Sequence, residues 1–246
     1  MNRLENKRII VTGGANGLGA EYVRALHAEG ATVAIADRDA QAGSTLASEF
    51  AQRCIFVETD VSDMQSVQRS FARAAQTFGG LDVLINNVGI YPHKAFEQIE
   101  LDDWHKVMQT NLDSVFICTK LVVPHLKLAG GGKIINIATN LVWVLAPDMA
   151  HYVASKAGVV GFTRGVAREL GALGITVNAL APGANMPSGE LEPWQLDRMR
   201  EIIGYQVIKR PQFACDLTGA IVFLCSSDSD FMSGQVICVD GGIAVR

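Results

Sequence analysis

Tyr152-Val153-Ala154-Ser155-Lys156 places a phenol and an ammonium four residues apart in a stretch of helical periodicity, 149–170. That spacing sets both groups on one face of a helix. A cation beside a phenol favours the phenolate and lowers its pKa from about 10. A positively charged ring bound alongside would push the same way, and the pair is then an acid/base that can exchange a proton near neutral pH. Alone, Y-x-x-x-K is a weak pattern, because chance copies are frequent and most are surface pairs. His151 adjoins the tyrosine but lies one step round the helix, and reads as a supporting or surface residue.

A second group of residues gives the pair its weight. Gly13, Asn16, Gly17, Leu18 and Gly19 fall in a turn, TGGANGLG, between a β-branched run and a helical one. Glycines allow a tight turn and close approach of backbone to an anion. The helix that follows points free N–H groups and its positive end at a phosphate. The spacing, Gly13-x3-Gly17-x-Gly19, differs from the G-x-G-x-x-G dinucleotide fingerprint. Asp37 ends the next strand, 20 residues after Gly17, where a carboxylate can accept both hydroxyls of an adenosine ribose. It would repel a 2′-phosphate, which favours NAD over NADP. Arg38, next to it, pulls the other way. A helix cap is the plainer reading of Asp37. Asp60-Val61 follows the third strand and is placed either to meet the adenine edge or to cap the next helix. Asn87, Val88 and Gly89 follow the fourth strand, either facing the cofactor or satisfying turn backbone.

These residues need elements to hold them. Strands are predicted at 8–12, 31–36, 54–57, 81–85, 133–138, 175–180 and 235–239. Helices are predicted at 17–29, 62–77, 101–128, 149–170 and 216–224. Apolar strands alternating with helices predict an α/β fold with a parallel sheet covered on both faces. The chain reads as one domain, 1–246. Its one composition shift is 185–212, which holds Pro187, Pro193 and Pro211 and an apolar set (Leu191, Trp194, Leu196, Met199, Ile202, Ile203) at roughly helical spacing. Such an excursion predicts a lid over the substrate, with a dimer contact or a plain surface helix as the alternative.

Composition narrows the function classes. Hydrophobic residues are 49% and charged residues 19% of 246, with a net charge of −4, which excludes a disordered chain. No basic block suggests nucleic acid or an anionic membrane as partner. The longest apolar runs are six residues, far short of the roughly 20 a bilayer span needs. No signal-peptide block follows Met1. The five cysteines form no C-x-x-C pair and read as buried small hydrophobes in a reduced cytoplasm. Scattered histidines give no metal-ligand spacing, so no metal is expected.

Together the motifs resemble the short-chain dehydrogenase/reductase family along essentially the whole chain. They are TGGANGLG, NNVG (86–89), Asn111 in QTNLDS, YVASK (152–156), Pro182-Gly183 and VDGG (239–242). The resemblance implies a single-domain Rossmann fold, a doubly wound sheet in the order 3-2-1-4-5-6-7, and a homotetramer. It also implies a catalytic tetrad. Tyr152 exchanges the proton, Lys156 holds ribose and tunes the tyrosine, and Asn111 anchors a water relay. Thr139 stands where a serine is usual and binds the substrate oxygen. Threonine keeps the hydroxyl but restricts χ1 and narrows the pocket. The family usually offers a threonine to the carboxamide four residues after Gly183, and this chain has Pro187 there. Ser188, or backbone groups near Ala184 and Asn185, must then serve.

Within the family, NNVGIYP, the Asp216-Leu217-Thr218-Gly219 start and the VDGG tail resemble NAD-dependent dehydrogenases of small ring-bearing alcohols, phenylethanol and pyridoxal 4-dehydrogenases among them, and IATN and APDMAHYVASKAG most resemble the pyridoxal enzymes. Tyr91, Trp143, Val144, Met149 and Trp194 are candidates to line a compact apolar pocket. The expected function is NAD-linked interconversion of such an alcohol and its carbonyl. Three rivals are an NADPH-dependent 3-oxoacyl-carrier-protein reductase, a non-catalytic NAD-sensing protein and a structural subunit.

Overall fold

The computed structural model describes residues 2–50, 52–144, 146–186 and 192–244. Seven parallel strands form one sheet in the order β3-β2-β1-β4-β5-β6-β7. They are β1 (Arg8–Thr12), β2 (Thr32–Asp37), β3 (Cys54–Glu58), β4 (Val83–Asn86), β5 (Gly132–Ile137), β6 (Ile175–Pro182) and β7 (Val236–Val239). Helices α1 (Gly17–Ala28), α2 (Ala40–Ser48), α3 (Met64–Phe78), α4 (Leu101–Met108), α5 (Ser114–Leu128), α6 (Ala150–Leu170), α7 (Pro193–Tyr205) and α8 (Cys215–Cys225) complete the order.

The strands are apolar on both faces because both faces are covered. Side chains alternate along a strand. Ile9, Val11, Val33, Ile35, Val83 and Ile85 therefore enter one core with α1 and α8. Ile10, Ala34, Leu84, Ile134 and Val177 enter the other with α3 and α5. The chain runs outward from β1 to β2 and β3, then returns to β4 on the other side of β1. That reversal opens a crevice at the carboxyl ends of β1 and β4, where open α/β sheets bind ligands.

Three features depart from the sequence reading. Helix α2 is not predicted by periodicity, because its sequence is small and polar and buries only Gly43 and Leu46. A side chain at 43 would come within 2.2 Å of Phe56, so glycine there is a packing requirement. The predicted helix 101–128 is continuous but contains a π turn at Gln109–Asp113. Of the cysteines, Cys118 and Cys225 are buried, Cys54 and Cys238 partly so, and Cys215 is exposed at the start of α8; all five are free. Residues 185 and 212, the ends of the excursion, meet in a parallel bridge. Helix α7 stands beyond that neck, with Met199 buried and Trp194 65% exposed.

Candidate active site at the strand ends

The glycine turn is built by close contacts. Gly13 and Gly17 have left-handed backbones, φ 61° and 54°. A Cβ at Gly19 would lie 2.0 Å from the Gly13 carbonyl oxygen, so no side chain fits there. Asn87 locks the turn from β4: its N–H donates to Thr12 Oγ1 (3.0 Å), and its Nδ2 donates to the Gly13 carbonyl (2.9 Å). Val88 packs against Gly13, within 3.1 Å of where a Cβ would stand. Asn16 precedes α1 and donates from Nδ2 to Asp39. Leu18 packs into the core beneath. No acidic residue occupies the first turn of α1, so nothing there opposes a phosphate. Above Gly17 the space is open, with nothing within 4 Å of a Cβ. This is a cradle of backbone with room over it, and it fits a dinucleotide pyrophosphate.

Asp37 ends β2 beside the turn and accepts the Ala15 N–H (3.0 Å) and the Asp39 N–H (3.0 Å). It is not a helix cap: Asp39 caps α2, accepting from Ala42 N–H. Asp60 likewise caps nothing, since Asp63 caps α3. Two bonds from Ser62 hold the Asp60 carboxylate and lower its pKa, and Arg38 nearby adds to that. Val61 is buried in the core.

The tetrad candidates converge from three elements. Lys156, on α6, is buried and donates from Nζ to the Ile137 carbonyl at the end of β5 (2.7 Å). Burial pushes its pKa down to about 8. Gly89 lies over it, and a Cβ there would stand 3.2 Å from Nζ. The Thr139 hydroxyl, two residues past β5, faces the Tyr152 phenol and works to lower its pKa. Burial works the other way and wins, with Tyr91 adding to it, so the phenol of the protein by itself titrates above its ordinary value. The expectation named two charges, the Lys156 ammonium and a bound nicotinamide ring, and without the ring the protein's own groups do not make the phenol acidic. Desolvation of the aromatic oxygen outweighs what the protein's own groups supply.

Asn111 sits in the π turn with no exposed surface. Its Oδ1 accepts the Ile90 N–H and its Nδ2 donates to the Ile90 carbonyl, both at 2.8 Å. Nδ2 also reaches Ser155 Oγ (3.1 Å), on the same helix as Tyr152 and Lys156. The amide thus clamps the segment after β4 to α6. A π turn inside a helix often marks a functional position, and here it presents Asn111 to that segment.

His151 is fully buried, with neither ring nitrogen hydrogen-bonded among the described residues. It is neither on the surface nor a hydrogen-bonding support. Burial lowers its pKa, with Asp103 opposing and Lys94 assisting.

The pocket candidates divide. Tyr91 is exposed and meets the Tyr152 ring edge-on, centroids 6.4 Å apart. Trp143 is partly buried against the core cluster of Ala138, Val160, Ala179 and Ala181, and Met149 is buried. Pro182 ends β6, and the Gly183 N–H donates to the Val239 carbonyl (3.0 Å). Asn185 donates from Nδ2 to the Gly183 carbonyl (3.2 Å). Pro187, Ser188 and Leu191 lie outside the described residues. Asn140 and Asp240 enter the sequence analysis only inside the IATN and VDGG motifs, with no role of their own, yet the two are buried and hydrogen-bonded to each other (3.1 Å). An asparagine after a threonine carries no periodic signal that would have marked it.

Residues 13–244 match the family profile described as enoyl-(acyl carrier protein) reductase. The chain is 36% identical over 242 residues to a 3-alpha-(or 20-beta)-hydroxysteroid dehydrogenase of Mycobacterium tuberculosis, covering 98% of this chain and 90% of that one. It is a short-chain dehydrogenase/reductase. Another member, trans-4-hydroxycyclohexanecarboxylate dehydrogenase of Sinomonas cyclohexanicum, is 33% identical over 253 residues, 98% of this chain and 94% of the other. A gluconate 5-dehydrogenase from Burkholderia cenocepacia, solved with NADP and tartrate, superposes with a TM-score of 0.92 at 33% identity, covering 99% and 98% of the two chains. As a member of this family the chain is an NAD(P)-dependent dehydrogenase acting on CH–OH groups. Among the described residues no helix is long and apolar enough to cross a membrane, and no cluster of three or more His, Cys, Asp or Glu could hold a metal.

Proposed function

We propose that this short-chain dehydrogenase/reductase interconverts a small ring-bearing alcohol and its carbonyl, with NAD as cofactor. One observation carries the reading: Thr139, Tyr152, Lys156 and Asn111 converge beside the crevice that the glycine turn opens. The turn at Gly13, Asn16, Gly17, Leu18 and Gly19 would hold the pyrophosphate, and Asp37 the adenosine ribose. Asp60 and Val61 would flank the adenine, and Asn87, Val88 and Gly89 would face the cofactor between the glycine turn and Lys156. Lys156, Pro182, Gly183 and Asn185 would flank the nicotinamide half. When bound, the cofactor supplies the hydride acceptor and a positive ring.

Thr139 and Tyr152 hydrogen-bond the substrate oxygen, and Tyr152 removes its proton. Lys156, held by the Ile137 carbonyl, keeps an ammonium available to the ribose and the phenolate. Asn111 holds the segment through Ile90 in place and anchors the route by which the proton leaves. Tyr91, Trp143 and Trp194 would shape an apolar pocket, and residues 192–212 of the excursion, with α7, would cover it as a lid on the single domain. Ring-bearing substrates of the hydroxysteroid and hydroxycyclohexane relatives favour a cyclic alcohol. NAD is favoured because Asp37 would repel a 2′-phosphate and because Asp60 partly balances Arg38. We further propose a cytoplasmic homotetramer, the compartment resting on five free cysteines.

The test is a screen of aromatic, heteroaromatic, sugar and steroid alcohols with NAD and with NADP, using Tyr152→Phe as control. Wild type turns over a cyclic alcohol with NAD. Tyr152→Phe keeps NADH binding and loses about 10²–10⁴-fold in kcat. A fully active phenylalanine variant refutes the assigned proton donor. Clearly better turnover with NADPH moves the reading to an acyl-carrier-protein reductase. Tight NAD binding without turnover moves it to a sensor.

A further inference from the structure

Asp240 is a buried carboxylate with no cationic partner among the described residues. A charge so placed is costly unless hydrogen bonds compensate. Three neutral donors do so: the Gly242 N–H to Oδ1 (3.0 Å), and the Ala244 N–H (2.8 Å) and Asn140 Nδ2 (3.1 Å) to Oδ2. The first two belong to the C-terminal tail and would satisfy a simple tail anchor. The third crosses 100 residues of sequence to the turn after β5. On its other side Asp240 presses on Gly183, where a Cβ would come within 2.9 Å of the Asp240 Cβ. One residue therefore joins three loops at the ends of β5, β6 and β7, its carboxylate tying the first to the third and its Cβ packing on the second.

Asn140 is the centre of its turn. Its carbonyl accepts the Trp143 and Val144 N–H groups (2.9 and 3.1 Å), and the turn's first residue is Thr139. Thr139 Oγ1 accepts the Leu141 N–H within the same turn (3.3 Å), so the orientation of the turn and that of the hydroxyl are linked. Asn140 is 3% exposed and Asp240 4%, so water does not compete for their bond.

We propose that the Asn140–Asp240 hydrogen bond is a positioning contact that sets where the Thr139 hydroxyl stands opposite the Tyr152 phenol. The inference rests on the proton-transfer role given above to Tyr152. Neither residue touches the reacting atoms; both act through Thr139. When Asn140 loses its amide, Asp240 keeps its two tail donors and the tail stays anchored. What is lost is the tie between the tail and the Thr139 turn.

The experiment compares wild type, Asn140→Ala, Thr139→Ala and the double variant, each checked by thermal unfolding. Asn140→Ala lowers kcat about tenfold while the affinity for NADH, from fluorescence titration, is unchanged. The double variant is no slower than Thr139→Ala alone, because residues that act as one unit are not additive. Without cofactor, ultraviolet difference titration against Tyr152→Phe shows the Tyr152 phenol ionising at higher pH in Asn140→Ala than in wild type. Should the alanine variant not fold, Asn140→Ser takes its place with the same expected direction.

An Asn140 variant with wild-type kcat and an unmoved phenol overturns the proposal. So do losses that multiply in the double variant. A wild type that turns over no alcohol overturns the functional reading instead, and the phenol titration then decides the inference on its own.

Discussion

Lys156 owes its chemistry to a cost. Its ammonium is buried against a single carbonyl, and burial brings its pKa from the ordinary 10.5 to about 8. Between those values the unfolded chain binds the proton and the folded chain does not. Stability therefore rises with pH through that window, and the buried charge is a burden below it. Relative to Lys156→Met, wild type gains on the order of 3 kcal/mol between pH 7 and pH 10.5, by about 1.36 kcal/mol per unit. Urea unfolding of both proteins across that range measures it, and a flat difference removes burial as the cause. The spacing of Tyr152 and Lys156 was legible because a helix converts an interval of four into a shared face. The direction of the phenol's pKa in the protein without a bound dinucleotide was not, because desolvation depends on everything packed around the oxygen. His151 shows the same limit: its step round the helix suggested a support or surface place, while the packing of α4 against α6 buries it.

At the scale of elements, the glycine turn was readable as a motif but its stiffness was not. Asn87 and Val88, some 70 residues away in sequence, hold it from β4. Gly19 is its least tolerant position, since a Cβ would meet a backbone oxygen that cannot swing aside. If the turn holds the pyrophosphate as proposed, Gly19→Ala forces it open and weakens binding of the reduced dinucleotide at least about tenfold, more than 1.4 kcal/mol. Intrinsic NADH fluorescence enhancement reads it, and unchanged affinity contradicts a tightly packed cradle. The helix 101–128 makes the complementary point. Its periodicity predicted one continuous helix, and it is continuous, yet a π turn adds one residue to the ladder around Asn111. Hydrophobic spacing does not record that residue. The bonds to Ile90 and Ser155 do.

Across the whole molecule, a buried amide relay joins the central strands to the helices on one face. Asn86 Nδ2 donates to Asn136 Oδ1 (2.9 Å), and Asn136 Nδ2 donates to Thr163 Oγ1 (2.9 Å) on α6. Asn86 also reaches Thr119 on α5 (3.3 Å). Asn136→Ala leaves the Asn86 amide short of one partner in a dry interior, though its bond to Thr119 remains, and costs about 1–3 kcal/mol, the cost of one unsatisfied buried group. Denaturant unfolding measures it, and a loss below about 0.5 kcal/mol means that water replaces the missing amide. The relay holds β4 and β5 in register beneath Asn87 and Thr139, so a stability change here also reaches the site.

Sequence alone determined the order of strands and helices and the residue types at each strand's carboxyl end. Apolar runs, glycines and the Tyr–Lys interval are local signals, set by backbone geometry within a few residues. Helix α2 escaped because small polar residues give no periodic face. Tertiary structure decided which distant groups share one place. It set Asn140 against Asp240, Gly89 over Lys156 and Asn87 on Gly13. Those distances arise only when the parallel sheet brings the ends of its strands together.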